Sequence, residues 1–125
     1  MNGGALRLYS YSACGTCRKA LQWLALQGFS AEAGTLELVD ITTTPPSPDE
    51  LQQAMAALGR KRLFNTSGQS YRALGAATVA SLSDEQALAA LAADGKLIRR
   101  PFAIGPDGSP LVGFKLEEWS AALGA

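Results

Sequence analysis

A short run with strand character, Leu6 to Ser10, leads into a turn carrying two cysteines three positions apart, Cys14-Gly15-Thr16-Cys17. A helical pattern follows at once, carried by Ala20, Leu21, Leu24 and Ala25, with Gly28 placed to close it. Leu36 to Ile41 then reads as a second strand after a glycine. The first forty residues form one β-α-β unit, and its strand-to-helix turn holds both cysteines. That turn limits the folds open to the chain more than any other feature.

The rest of the chain supplies the remaining elements. Pro45-Pro46-Ser47-Pro48 breaks structure and restarts it, because Ser47 can cap a helix with Pro48 first and Glu50 third. Leu51, Ala54, Met55 and Leu58 repeat at helical spacing up to Gly59, and a second cap at Ser83 with Gln86 precedes a helix ending near Gly95. Phe102 to Ile104 and Leu111 to Phe114, joined through Pro106-Asp107-Gly108, read as a β-hairpin. Leu116, Trp119 and Leu123 share one face of a terminal helix. The order is β-α-β, a helical middle, then β-β-α. With 125 residues and 47% hydrophobic content, one domain over residues 1–125 is expected, and no linker or repeat divides it.

Composition narrows the chemistry. Eleven basic residues balance eleven acidic ones, so the broad positive field of a protein that grips a phosphate backbone is missing and no direct nucleic-acid partner is expected. No apolar stretch approaches a membrane span and no leader pattern opens the chain, so a cytoplasmic protein without a membrane partner is expected. Histidine is absent, which removes histidine-based metal sites, histidine-activated nucleophiles and histidine proton shuttles. Thiols, carboxylates and arginines remain.

In a reducing compartment a Cys-x-x-Cys pair points to redox chemistry or a metal more than to a permanent staple. A zinc site would need two further ligands, which only carboxylates or a second chain could supply, so no metal is expected. Burial as small apolar filler is the duller alternative, and it leaves the Gly-Thr spacer and the adjacent Arg18 and Lys19 unexplained. At the start of a helix, Cys14 would face free N–H groups and the positive end of the dipole, both of which favour thiolate. Cys14 is read as the nucleophile and Cys17 as the resolving thiol. Arg60-Lys61-Arg62 and Arg99-Arg100 are the dense basic clusters, and each could help build an anion or partner site near the cysteines; the first reads foremost as solvated surface, and Trp23 and Trp119 as packing residues. Glu37 and Asp40 fall on opposite faces of a strand and do not make an acid-base pair.

The segment Tyr9 to Ala20 around the cysteines resembles the active-site turn of the glutaredoxin-coupled arsenate reductase family, whose relatives include the Spx/MgsR-type regulators. The resemblance continues through Arg62 to Gly68, Tyr71 to Gly75, Lys96 to Pro101 and Leu111 to Phe114, nearly the whole chain. It implies a thioredoxin-like α/β fold: a mixed four-stranded sheet built β-α-β then β-β-α, with a mainly helical insertion at about residues 47 to 95. It also implies that Pro101 lies beside the cysteine turn after a cis peptide bond.

Family members that reduce arsenate use one nucleophilic cysteine and three arginines. Here Cys14 matches the nucleophile and Arg100 the arginine before the proline, whereas Asn65 and Gly113 stand at the first and third arginine positions. Anion charge would then fall to Arg100, the helix start at Gly15 and Thr16, and Arg18. Cys17 could resolve an intermediate internally. These departures favour the Spx/MgsR-like branch, a thiol-disulfide switch acting through a protein partner such as the RNA polymerase α subunit. The alternative is a thiol-dependent oxidoreductase, arsenate reductase-like, coupled to glutaredoxin or thioredoxin. The expected state is a monomer, with no cofactor unless glutathione serves as thiol co-substrate.

Overall fold

The computed structural model describes residues 5–124. Strand β1 (Leu6–Ser10), helix α1 (Gly15–Leu26) and strand β2 (Leu36–Asp40) form the β-α-β unit, with β1 and β2 parallel. Strands β3 (Phe102–Ile104) and β4 (Pro110–Val112) follow the helical middle, and helix α6 (Leu116–Leu123) closes the chain. The sheet order is β2-β1-β3-β4, with β3 antiparallel to both of its neighbours. This is the expected thioredoxin-like α/β fold.

Strand alternation divides the interior. Leu8, Ala103 and Leu111 lie in register across the sheet on one face, and with Leu6, Leu24 and Trp119 they make the core under α1 and α6. Their neighbours Tyr9, Phe102 and Val112 point the other way, into a second core shared with Leu51, Leu63, Val79, Leu91 and Ile98 of the insertion. The helical middle thus covers one face of the sheet, and α1 with α6 the other.

The insertion comprises α2 (Pro48–Leu58), α3 (Gln69–Leu74), α4 (Ala76–Ser81) and α5 (Asp84–Ala93), with 3-10 turns at Arg60–Leu63 and Gly95–Leu97. Both expected capping boxes form, Ser47 with Glu50 and Ser83 with Gln86. Gly28 closes α1 in a Schellman arrangement: at φ +92° its N–H donates to the Ala25 carbonyl, and Phe29 N–H donates to that of Leu24. Gly95 plays a different part from a helix stop. It is buried, and a Cβ there would stand 1.8 Å from the Ile41 carbonyl oxygen, so close backbone approach demands the glycine. The hairpin is shorter than expected, because Gly113 turns away from the strand at φ +68° and Phe114 packs on Trp23 and Trp119 instead. Among the described residues, no helix is long and apolar enough to cross a membrane.

Candidate active site

Cys14 is the N-cap of α1, in extended conformation, and its Sγ accepts a hydrogen bond from the Cys17 N–H at 3.2 Å. The preceding turn is closed by Cys14 N–H donating to the Tyr11 carbonyl at 3.0 Å. A cap accepts hydrogen bonds from a helix start that carries partial positive charge, and sulfur does this best as thiolate. Burial alone would push the Cys14 thiol up. Hydrogen bonding from the Cys17 thiol and N–H, together with the charge of Arg100, outweighs burial and holds Cys14 below the ordinary thiol value. Cys17 moves the opposite way: it is fully buried, and burial and the neighbouring Cys14 push it up to about 11. Both thiols are free, and their surroundings drive their proton affinities apart.

Arg100 is held over the ring of Tyr11, with its guanidinium carbon 5.2 Å from the centroid. The Arg100–Pro101 peptide is cis, as the resemblance implied, and Pro101 is buried.

Cys14 opens into a cleft of about 680 Å³. Its walls come from four stretches of chain: Cys14 and Thr16; Lys61 and Arg62 with Asn65 to Gly68; Arg99 and Arg100; and Val112 to Lys115. Five cations and no carboxylate line it. Arg62 is ion-paired to Glu118 at 2.8 Å, whereas Lys61, Arg99, Arg100 and Lys115 make no ion pair among the described residues. A neutral protein therefore carries a concentrated positive site around a thiol already biased toward thiolate.

Of the residues singled out in the sequence, Cys14, Thr16, Asn65 and Arg100 meet in this cleft, Cys17 lies beneath Cys14, and Gly15 opens the helix beside it. Arg18 departs from expectation. Its guanidinium turns back to donate to the Ser12 carbonyl at 2.9 Å and does not line the cleft, so it contributes no charge to the cleft wall. Asn65 is occupied locally, accepting from the Ser67 hydroxyl at 3.2 Å. The basic cluster at 60–62 divides: Arg60 pairs with Asp84 and donates to the Val79 carbonyl, while Lys61 and Arg62 reach the cleft. Lys115 had no distinguishing sequence signal, since the turn at Gly113 sets its place. Among the described residues no group of three or more metal-ligating side chains gathers.

Fold and cysteine turn together put the chain among thioredoxin-like proteins with an arsenate-reductase-like architecture. It belongs to the ArsC family, whose model matches residues 9–122. The chain is 38% identical over 119 residues to the uncharacterized protein YusI of Bacillus subtilis (strain 168), covering 92% of this chain and 95% of that one. It is 32% identical over 106 residues to an arsenate reductase of Rhizobium meliloti (strain 1021), covering 83% and 71% respectively. Among solved structures it is similar to an ArsC-family-related protein from Bacteroides fragilis, with a TM-score of 0.82, 33% identity, and 93% and 95% of the two chains covered.

Proposed function

We propose that the protein is a thiol-disulfide oxidoreductase acting on anionic thiol compounds of the glutathione type. The observation that carries this reading is the placement of Cys14, held toward thiolate at a helix start, in a cleft lined by cations alone among charged residues. In the first step the Cys14 thiolate attacks one sulfur of glutathione disulfide, forming a mixed disulfide and expelling glutathione thiolate. Cys17 then gives up its proton and attacks Cys14 Sγ, closing the Cys14–Cys17 disulfide and releasing the second glutathione. The protein loses two electrons and glutathione disulfide gains them, and a glutaredoxin or thioredoxin dithiol returns the protein to its reduced state. The high proton affinity of Cys17 keeps it silent until the first step has discharged Cys14.

Trapping tests this scheme. Cys17→Ser treated with glutathione disulfide should accumulate a stable mixed disulfide on Cys14, visible by intact-mass spectrometry, and Cys14→Ser should form none. A Cys17→Ser chain that stays unmodified at millimolar glutathione disulfide would sink the reading. Arsenate turnover is expected to be weak, because Asn65 and Gly113 place no charge of their own in the cleft.

A second reading is favoured by the burial of Cys17 directly behind Cys14. Closing the disulfide would consume the sulfur that caps α1, altering the mouth of the cleft and any grip on a protein partner. In that reading the chain is a switch of the Spx/MgsR type, cytoplasmic, acting through the RNA polymerase α subunit. A pull-down with the carboxy-terminal domain of that subunit should then differ between oxidised and reduced protein, and no binding in either state removes it.

A further inference from the structure

Gly113 is fixed from both sides: its N–H donates to the Pro101 carbonyl at 2.9 Å, and its carbonyl accepts the Trp119 indole N–H at 2.8 Å. At φ +68° it occupies the left-handed region, which suits a residue without Cβ. A Cβ built there would stand 3.4 Å from Cδ and 4.0 Å from Cγ of Arg99. The aliphatic stem of Arg99 therefore passes over the bare Cα of Gly113, and a side chain larger than alanine would compete for that path.

The root of Arg99 is fixed too. Its N–H donates to the Leu63 carbonyl at 2.8 Å, and an antiparallel bridge joins Phe64 to the preceding Ile98. With its root fixed and its stem lying over Gly113, the residue forms part of the wall of the Cys14 cleft. Its Nε is buried without a hydrogen-bond partner, and it makes no ion pair among the described residues. Holding a buried charged donor unpartnered is costly in the absence of a ligand, and a site built this way is organised for an anion in advance.

We propose that Arg99, laid across Gly113, is a second anion anchor of the cleft, so that the preferred substrate is a thiol or disulfide bearing a carboxylate apart from its sulfur. The inference rests on the cleft being an anion-accepting thiol site, and it adds a specificity-determining residue that touches the ligand. It also gives Gly113 a role: the missing side chain makes room for an arginine supplied from another strand end.

The test measures protection of Cys14 from iodoacetamide by unreactive competitors: S-methylglutathione, its uncharged-carboxyl diethyl ester, and sulfate. The unchanged chain should be protected better by S-methylglutathione than by the diester. With protection taken relative to each chain's own unprotected rate, Arg99→Gln should weaken protection by the free acid about tenfold, the effect of losing one charge-assisted hydrogen bond, and leave protection by the diester unchanged. Arg99→Lys should retain part of the preference. Gly113→Val, checked for folding by thermal melting, should imitate Arg99→Gln by displacing the stem. Equal protection in Arg99→Gln and the unchanged chain overturns the inference, and so does an equal loss of protection by the free acid and by the diester, which would mean that Arg99 does not read the carboxylate. If neither glutathione derivative protects the unchanged chain, it is the glutathione reading that fails. Arg99 is then judged with sulfate, where absent or equal protection overturns it.

Discussion

The two sulfur atoms differ in proton affinity although they sit three residues apart, because one caps a helix and faces Arg100 while the other is buried behind it. Alkylation of Cys14 should therefore reach half its maximal rate below about pH 8.5, the ordinary thiol value, as measured by iodoacetamide kinetics against pH. Arg100→Gln should move that midpoint upward, since removing a nearby cation disfavours thiolate. The same sign holds for folding: the contribution of Cys14 is present above the unfolded thiol value and is lost as pH falls through the lower folded one. Cys14 and Arg100 were legible in the sequence because each belongs to a local pattern, the cysteine turn and the Arg-Pro pair. Arg99 was legible only as half of the basic pair Arg99-Arg100, without its course over Gly113, and Lys115 was not read as a site residue, because its place depends on the left-handed turn at Gly113. Gly95 shows the same limit, since the atom it must avoid belongs to Ile41, distant in sequence.

Helix α2 begins with a cap that also ties it to the sheet. Glu50 accepts from Ser47 N–H at 2.9 Å, from the Tyr9 hydroxyl at 2.8 Å and from Arg7 at 3.0 Å, so one carboxylate joins the capping box to β1. Burial opposes its charge, yet these partners hold Glu50 below the usual carboxylate value. Its charge therefore stabilises the fold above the unfolded carboxyl value of about 4.3 and ceases to do so as pH falls through the folded one. Ser47→Ala should cost about 1 kcal/mol at any pH in urea unfolding, whereas the cost of Glu50→Gln should vanish at acid pH. Helices α2 and α5 were readable because serine caps and apolar spacing coincide. Helices α3 and α4 are six residues each, divided by Gly75 at φ +90°, and such short pieces carry too few apolar positions to display a period.

Across the whole molecule, equal numbers of opposite charges hide a strong asymmetry, with five cations gathered around Cys14. Reaction with glutathione disulfide should consequently slow several-fold as salt shortens the Debye length from about 30 Å to about 8 Å. Hydroxyethyl disulfide, which is uncharged, should react at the same rate throughout, and stopped-flow traces with both reagents at 0.01 and 0.15 M salt make the comparison. The order of elements, β-α-β then β-β-α around a helical insertion, was legible, but the strand order and the gathering of charge depend on how the halves pair and how the insertion folds back over the sheet. The four stretches that wall the cleft span nearly the full length of the chain, from Cys14 to Lys115. A ribosome must therefore release almost the entire polypeptide before the cationic walls can gather around that sulfur, whereas the helix start that first favours its thiolate lies within the opening stretch.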